Sequence, residues 1–198
     1  MAERFAGTSA GASASRAEAE EELRLSLEFF PEQILAYCYL SLLYGETERP
    51  EESVKIAERG LEFSYNHPFL HYCLGVSYEG IGELERALCE YRYFSDSCPE
   101  DEGGLISLGQ CYEKMGKIEE AMVVYNRLSV LGTQNLTILF QLANLEGKFG
   151  SHAQGINALK KIVTLDPDNW EGWCRLGLFF SKEGHLEQAV FAYEKALA

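Results

Sequence analysis

The chain has 198 residues, of which 46% are hydrophobic and 24% are charged; 31 acidic residues against 17 Lys and Arg give a formal net charge of −14. This apolar content is typical of a globular protein, and no apolar run is long enough to cross a membrane. The acidic balance and the lack of any dense Lys/Arg cluster argue against nucleic acid as a partner. The acidity is uneven, because residues 1–101 contain 20 Asp and Glu against 8 Lys and Arg.

Two segments precede the main part of the chain. Residues 1–15 are rich in Ala, Gly and Ser and have no hydrophobic periodicity, so we expect a disordered tail there. It has no secretory signal; an organelle-targeting segment stays open, although Glu3 counts against it. Apolar residues at helical spacing predict an N-terminal capping helix, a half repeat, over residues 16–33.

From residue 34 onward the sequence repeats with a period of 34. The segments LGVSYEGIGELERALCEY (74–91), LGQCYEKMGKIEEAMVVY (108–125) and LGLFFSKEGHLEQAVFAY (176–193) place Leu-Gly, an aromatic residue, Gly, Ala and Tyr at identical offsets. Weaker copies at 40–57 and 142–159 fill the remaining periods. The predicted units are 34–67, 68–101, 102–135, 136–169 and a fifth, 170–198, that lacks its last residues.

Each of these residues has a physical role in a pair of helices. The Leu-Gly pair and the next aromatic share one helix face, and the small residue beside Leu lets the partner helix approach closely. The next glycine ends the first helix in the left-handed conformation, at Gly82, Gly116, Gly150 and Gly184. Tyr91, Tyr125 and Tyr193 are expected to fill the core between units. Such units cannot bury their apolar faces alone and therefore stack.

The repeated residues resemble the tetratricopeptide repeat (TPR) family over about residues 34–198. The resemblance implies an all-α, right-handed superhelical solenoid of about five TPR helix-turn-helix units with an N-terminal capping helix. No polar helix follows the fifth unit. Either the stretch belongs to a longer array, or its last helix docks onto something.

Nothing in the sequence indicates catalysis or a bound cofactor or metal. The four histidines form no H-E-x-x-H motif, the glycine-rich stretch at 103–110 lacks the P-loop lysine, and His71 is interpreted as a packed core residue. The six cysteines form no C-x-x-C pair, and they are interpreted as reduced thiols of a cytoplasmic, reducing compartment. We therefore expect a protein that is not an enzyme and that binds no cofactor.

In the TPR family the first helix of each unit lines a concave groove, and its groove positions are carried over here from the resemblance. No three consecutive units supply the residue set that clamps chaperone tails. The N-terminal half of the predicted partner-binding groove is apolar and aromatic: Leu35, Tyr39, Leu42, Phe69, Tyr72 and Val76. The C-terminal half is amide-rich and mildly basic: Gln110, Gln141, Asn144, Lys148, Arg175 and Lys182. Alternatively, Leu35, Tyr39 and Phe69 pack against residues 16–33 or neighbouring helices.

The sequence thus predicts a non-catalytic protein–protein interaction module, an adaptor or assembly scaffold. Its groove would bind a partner protein or peptide through an apolar or amphipathic helical segment. One alternative is a structural subunit that packs, or self-associates, through its uncapped C-terminal helix around Val190, Phe191 and Leu197. Another is the TPR portion of a larger enzyme.

Overall fold

The structure is a computed structural model that describes the backbone of residues 3–197 and the side chains from residue 15 onward. The described residues form eleven α-helices, which confirms the predicted all-α class. They are α1 (Glu3–Phe29), α2 (Ile34–Glu46), α3 (Pro50–Phe63), α4 (Pro68–Gly80), α5 (Leu84–Ser97), α6 (Glu102–Lys114), α7 (Ile118–Leu131), α8 (Leu136–Phe149), α9 (His152–Leu165), α10 (Trp170–Lys182) and α11 (Leu186–Leu197).

The helices divide into two compact units, the first ending at Pro99 and the second beginning at Glu100. The first unit contains α1–α5 and the second α6–α11. From α2 onward each 34-residue period holds one pair of helices, and the members of each pair pack against each other. This sequential packing of helix pairs is the arrangement expected of a TPR solenoid.

The first helix of each pair in the second unit begins at a side-chain cap. Asp101, Asn135 and Asn169 are spaced 34 residues apart, and each accepts a hydrogen bond from a backbone N–H three residues later. The distances are 2.7, 3.3 and 2.8 Å. Short side chains with an acceptor oxygen are the preferred N-caps because they satisfy an otherwise unpaired N–H.

The turn between paired helices takes the left-handed conformation in four of the five pairs. Gly82, Gly116 and Gly184 have φ of +82°, +72° and +79°, as predicted, and Glu48 at the equivalent position of the first pair has φ of +57°. The prediction is wrong for Gly150, whose φ is −120°. Its role is steric, since a Cβ there would collide with the carboxylate of Glu146.

In three of the five pairs a glycine beside the repeated leucine provides the close approach between the two helices. A Cβ on Gly75 would lie 2.8 Å from the ring of Tyr91, and one on Gly177 would lie 2.8 Å from the ring of Tyr193. Tyr91 and Tyr125 are buried, which confirms their place in the core. Tyr193 is 38% exposed, so its predicted burial is wrong: no further helix pair covers α11 in the described chain.

Helix α1 packs on α2 and buries Leu27 in the core of the first unit. It begins at Glu3, whereas the capping helix is predicted to begin at residue 16. Disorder is expected over residues 1–15 from their composition, whereas the structure includes residues 3–15 in the helix. The alanine-rich segment has no helix-breaking proline before Pro31, which is compatible with this extension. Residues 1 and 2 lie outside the described part.

A cluster of three buried serines joins the first two helix pairs. The Ser53 hydroxyl lies 2.9 Å from the Ser41 hydroxyl and 2.6 Å from that of Ser77. Ser77 also donates to the Cys73 carbonyl at 2.7 Å. Because every hydroxyl has a partner, the cluster ties α2, α3 and α4 together without leaving an unpaired buried group.

His71 is only partly buried, in contrast to the fully packed core residue expected from the sequence. Its Nδ1 lies 2.6 Å from a carboxylate oxygen of Glu90, and its Nε2 lies 3.0 Å from the carbonyl oxygen of Tyr65. The imidazole also stacks on the ring of Tyr93, with centroids 3.9 Å apart. His71 therefore links α4 and α5 as a structural group.

All six cysteines are free, and those at 38, 73 and 111 are buried. The hydrogen bond with the neighbouring Cys38 thiol and, after it, burial raise the pKa of Cys73 well above its ordinary value. Cys73 donates to the carbonyl oxygen of Cys38 at 3.6 Å, so the two thiols pack at the α2–α4 contact. None of the described helices is both long and apolar enough to span a membrane.

Candidate functional site

The described residues contain no group of three or more His, Cys, Asp and Glu placed to hold a metal ion. The predicted groove residues therefore define the candidate site. They fall into two sets, one in each compact unit, and each set is a surface of its own unit.

The apolar set begins on α2, with residues that share one helix face. Leu35, Tyr39 and Leu42 are spaced i, i+4 and i+7, while Tyr37 and Leu40 between them point into the core. Leu35 is 53% exposed and Tyr39 is 54% exposed. α2 is thus apolar on both sides, because one face builds the core and the other meets solvent.

Helix α4 supplies the other half of the apolar set. Phe69 and Tyr72 stack with ring centroids 5.7 Å apart and planes within 5° of parallel. Tyr72 also contacts the ring of Phe94 on α5 at 5.1 Å. Val76 lies next to Gly45 of α2, and a Cβ on that glycine would be in ordinary contact with Val76 at 4.0 Å. We call the six predicted residues on α2 and α4 the apolar strip: Leu35, Tyr39, Leu42, Phe69, Tyr72 and Val76.

Some residues of the apolar strip are partly buried by packing within the first unit. Leu42 and Phe69 pack against the core cluster that includes Leu27 of α1, as the alternative interpretation expects for Phe69. Leu35 and Tyr39 remain more than half exposed, and the segment 16–33 leaves them uncovered. The exposed part of the strip is therefore centred on α2.

The polar set lies in the second unit and is organised around Arg175 of α10. The guanidinium donates to the Asn144 side-chain oxygen and to a carboxylate oxygen of Glu171, both at 2.5 Å. It also lies 5.0 Å from the ring centroid of Phe140. Arg175 and Asn144, both among the predicted groove residues, thus lie in direct contact. Glu171 balances the arginine charge, so this part is less basic than its Lys and Arg content indicates.

Gln141 is held by a second carboxylate. Its amide donates to Glu113 at 2.8 Å, and the same carboxylate oxygen accepts from the Tyr125 hydroxyl at 2.7 Å. Burial and the neighbouring Glu113 carboxylate raise the pKa of Tyr125 well above its ordinary value. The side-chain oxygen of Gln141 is buried and has no hydrogen-bond partner among the described residues.

The other four residues of the polar set are exposed and extend into solvent: Gln110, Asn144, Lys148 and Lys182. Three further side chains organise this surface: Glu113, Phe140 and Glu171. They stand at groove positions that the resemblance gives, but they were left out of the predicted binding set. All three lie on first helices of their pairs, as the predicted residues do. That shared placement is the sequence signal that could have identified them.

The face of α11 is also open to solvent. Val190, Tyr193 and Leu197 are 57%, 38% and 88% exposed. The residues one period earlier, Ile156 and Val163, are each 8% exposed, because α10 packs against α9. The apolar face of α11 is therefore exposed, whereas the same face of α9, the second helix of the preceding pair, is buried.

Comparison with protein-family models gives a match to the tetratricopeptide repeat over residues 104–128, 136–169 and 171–198. The three matched stretches correspond to α6–α7, α8–α9 and α10–α11. No curated protein matches the chain in sequence.

Solved structures share the fold at low sequence identity. One, described as YrrB, a TPR protein with an unusual peptide-binding site, is 16% identical, with a TM-score of 0.72 over 90% of this chain and 92% of that chain. The crystal structure of MamA protein is 19% identical, with a TM-score of 0.68 over 85% of this chain and 92% of the other. MamA from Desulfovibrio magneticus RS-1 is 18% identical, with a TM-score of 0.63 over 83% and 93%.

Proposed function

Because this chain is a tetratricopeptide repeat protein, we propose that it is a non-catalytic adaptor or scaffold that binds a helix or peptide of a partner protein on its apolar strip. Proteins built from these repeats mediate protein–protein interactions. The observation that carries the proposal is the exposure of Leu35 and Tyr39, 53% and 54%, beside the half-buried rings of α4.

The chemistry of the apolar strip favours an amphipathic helix. Apolar side chains at i, i+4 and i+7 on α2 match the spacing of anchor residues on a partner helix. Aromatic side chains are the commonest anchors of protein interfaces, and Tyr39 and Tyr72 each add a hydroxyl at the rim. The peptide-binding site in the description of YrrB belongs to that protein; its shared fold supports the choice of partner class here.

The polar set is proposed as a second contact surface, which belongs to the second unit. Asn144 and Arg175 already hold each other, so a carboxylate of the partner would replace the amide oxygen of Asn144 on the guanidinium.

Peptide display on the purified chain tests this function. Selected peptides are titrated against the wild-type chain, Tyr39→Ala and Tyr65→Ala; Tyr65 is 80% exposed but lies outside the strip. We expect Tyr39→Ala to weaken binding about tenfold and Tyr65→Ala to leave it unchanged. Equal affinities for the two variants, with helicity retained, would contradict the proposal.

A structural role is the second candidate, favoured by the open face of α11. The side chains of Val190 and Leu197 are exposed, although the equivalent side chains of the preceding repeat are buried. A second copy or a neighbouring subunit would bury them. Light scattering over a dilution series distinguishes the cases. Self-association that Leu197→Glu abolishes and Val130→Glu does not would favour this role, since Val130 is equally exposed, at 85%, on α7. A monomer at every concentration would exclude self-assembly.

A further inference from the structure

A groove on the second unit runs between α9 and α11, with α10 as its floor. It contains two adjoining cavities of about 480 and 750 Å³. The smaller cavity is lined mainly by apolar and aromatic side chains, including Val163, Trp173, Phe180 and Phe191. Lys160 of α9 borders both cavities, and Glu187 of α11 lies on the opposite wall. We call this the α9–α11 groove.

The position between α1 and α3 that corresponds to the α9–α11 groove is closed by hydrogen bonds. Its floor residue is Tyr44 of α2, whose hydroxyl donates to Glu20 of α1 at 3.2 Å and accepts from Arg24 at 3.0 Å. Arg49, at the start of α3, pairs with the same Glu20 at 2.7 Å and covers the Tyr44 ring at 4.2 Å. Polar side chains therefore connect α1 and α3 across α2.

The place between α3 and α5 is closed in the same way. Tyr78 is one period after Tyr44, and its hydroxyl donates to Glu58 of α3 at 3.0 Å. Arg86 of α5 donates to the same hydroxyl and lies 3.9 Å from the ring centroid. Arg86 also pairs with Glu58 at 3.7 Å.

Between α7 and α9 a buried carboxylate takes the place of the tyrosine. Glu146 is 1% exposed and accepts from the Asn126 amide of α7 at 2.7 Å. The Gln154 amide of α9, in its donating orientation, lies 3.0 Å from the other carboxylate oxygen. A polar connection thus crosses this place as well.

The α9–α11 groove has no such connection. Its floor residue at the same repeat position is Phe180, which has no polar atom to offer. The Lys160 ammonium lies 5.7 Å from the Phe180 ring centroid, and the described residues place no carboxylate in an ion pair with it. The volume that polar side chains occupy between the earlier helices is open here.

We propose that the α9–α11 groove is a second binding site, for a peptide segment that inserts an aromatic side chain and pairs a neighbouring carboxylate with Lys160. Trp173 and Phe191 meet edge to face with centroids 6.1 Å apart, and together with Phe180 they form three aromatic walls. An aromatic ring gains both apolar burial and ring-edge contacts in such surroundings. The volume is within the range of ligand-binding cavities.

Charge decides where the acidic residue of the peptide lies. Lys160 has no carboxylate paired with it among the described residues, so an acidic side chain next to it would supply the group that Glu20, Glu58 and Glu146 supply at the three positions described above. Glu187 repels a second acidic side chain on the opposite wall. The site therefore takes an acidic residue on the α9 side of the aromatic anchor. This site is independent of the apolar strip, which belongs to the other unit.

Tryptophan fluorescence gives a direct measurement, because the chain has only two tryptophans. In the Trp170→Phe chain the remaining reporter is Trp173, which lines the groove. Three blocked peptides are titrated: Gly-Ser-Asp-Phe-Ser-Gly, the same peptide with Lys for Asp, and the same peptide with Ala for Phe. We expect a saturable emission shift with the first peptide, binding about fivefold weaker with the second, and no shift with the third.

Variants of the groove complete the test. Lys160→Glu should reverse the preference between the Asp and Lys peptides, and Lys117→Glu, an exposed lysine outside the groove, should not. Phe191→Ala should abolish the shift, whereas Phe149→Ala, 65% exposed compared with 53% for Phe191, should leave it unchanged. Tyr39→Ala should have no effect, which separates this site from the proposed function.

Three results would overturn the proposal. One is the absence of a saturable shift with the Asp-Phe peptide in a chain that keeps its helicity. A second is a shift that is insensitive to Lys160→Glu. The third is a Trp173 emission that changes with protein concentration in parallel with the light-scattering mass, because the groove would then be covered by a second copy.

Discussion

The hydroxyl of Tyr125 donates to the carboxylate of Glu113 at 2.7 Å, which connects the second helix of a repeat to the end of the first. The same contact recurs one period earlier, where Tyr91 donates to Glu79 at 2.7 Å. In the last repeat the residue at the carboxylate position is Ser181, and Tyr193 is the most exposed of the three tyrosines. The core tyrosine therefore has both a packing role and a polar anchor in two repeats.

Tyrosine ionisation should weaken the fold at high pH. Burial and the Glu58 carboxylate raise the pKa of Tyr78 from 10.0 to about 12. A raised pKa means that the folded state holds its proton more tightly than the unfolded state, so stability falls as pH rises from about 10 through 12. Urea unfolding at several pH values should show a shallower decline for Tyr78→Phe than for the wild-type chain. Parallel declines would show that Tyr78 does not contribute.

The Gly75 site should not accept a methyl group. Gly75→Ala places a Cβ 2.8 Å from the Tyr91 ring, and we expect a loss of about 1–3 kcal/mol in unfolding free energy from overpacking. Gly45→Ala is the matched control in α2, because its Cβ has only Val76 within 4.0 Å. That variant should gain about 0.5–1 kcal/mol in a helix. Equal effects in denaturant unfolding would disprove the close-approach explanation.

The backbone of Glu48 should be strained in the turn between α2 and α3. It has φ of +57°, where the equivalent residue of the next pair is Gly82. We expect Glu48→Gly to raise the unfolding free energy by up to about 1 kcal/mol, because glycine adopts this conformation without steric cost. Gly82→Ala should lower it by about 1 kcal/mol. The two variants, compared by thermal and urea unfolding, should shift stability in opposite directions.

The Asn169 cap should have a measurable energy. Asn169→Ala removes the side-chain oxygen that accepts from Gly172, and we expect a loss of about 1 kcal/mol. Asn169→Gly should lose only a few tenths of a kcal/mol, since glycine is well tolerated at this position. Urea unfolding checks both variants. A larger loss for glycine than for alanine would be incompatible with capping.

The buried Glu146 should be coupled energetically to Asn126. Glu146→Ala removes the acceptor of the Asn126 amide, and Asn126→Ala removes one donor from a buried carboxylate that Ser151 and Gln154 also contact. Each variant should therefore lose about 1–3 kcal/mol. The double variant should lose less than the sum of the single losses. A double-mutant cycle in urea measures the difference, and strict additivity would contradict a direct interaction.

The 34-residue period predicts the helix pairs well because its signals act within one pair. Gly75 beneath Tyr91, and the left-handed Gly82, follow from local sterics that the sequence displays directly. Gly150 departs from the pattern because its space is taken by Glu146 from one turn earlier. The conformation of Glu146 depends on polar partners in other helices, including Asn126. A repeat alignment does not show such partners.

The candidate site is less predictable than the fold. Helix position correctly indicates that Leu35 and Tyr39 are exposed, because groove and core residues alternate along α2. The pairing of Arg175 with Glu171 depends on the conformations of long side chains, which spacing leaves open. The extent of α1 was underestimated because a composition rich in Ala, Gly and Ser is compatible with both disorder and a helix.

The side-chain caps of the second unit make its repeats modular. Asp101, Asn135 and Asn169 each stand immediately before the first helix of a pair, as the last residue of the preceding predicted unit. A block of sequence from one cap to the next therefore carries its own initiation signal. Duplication or deletion of such a block would leave every remaining pair with a proper start. The array length could change over evolution, or by engineering, without redesign of any helix terminus.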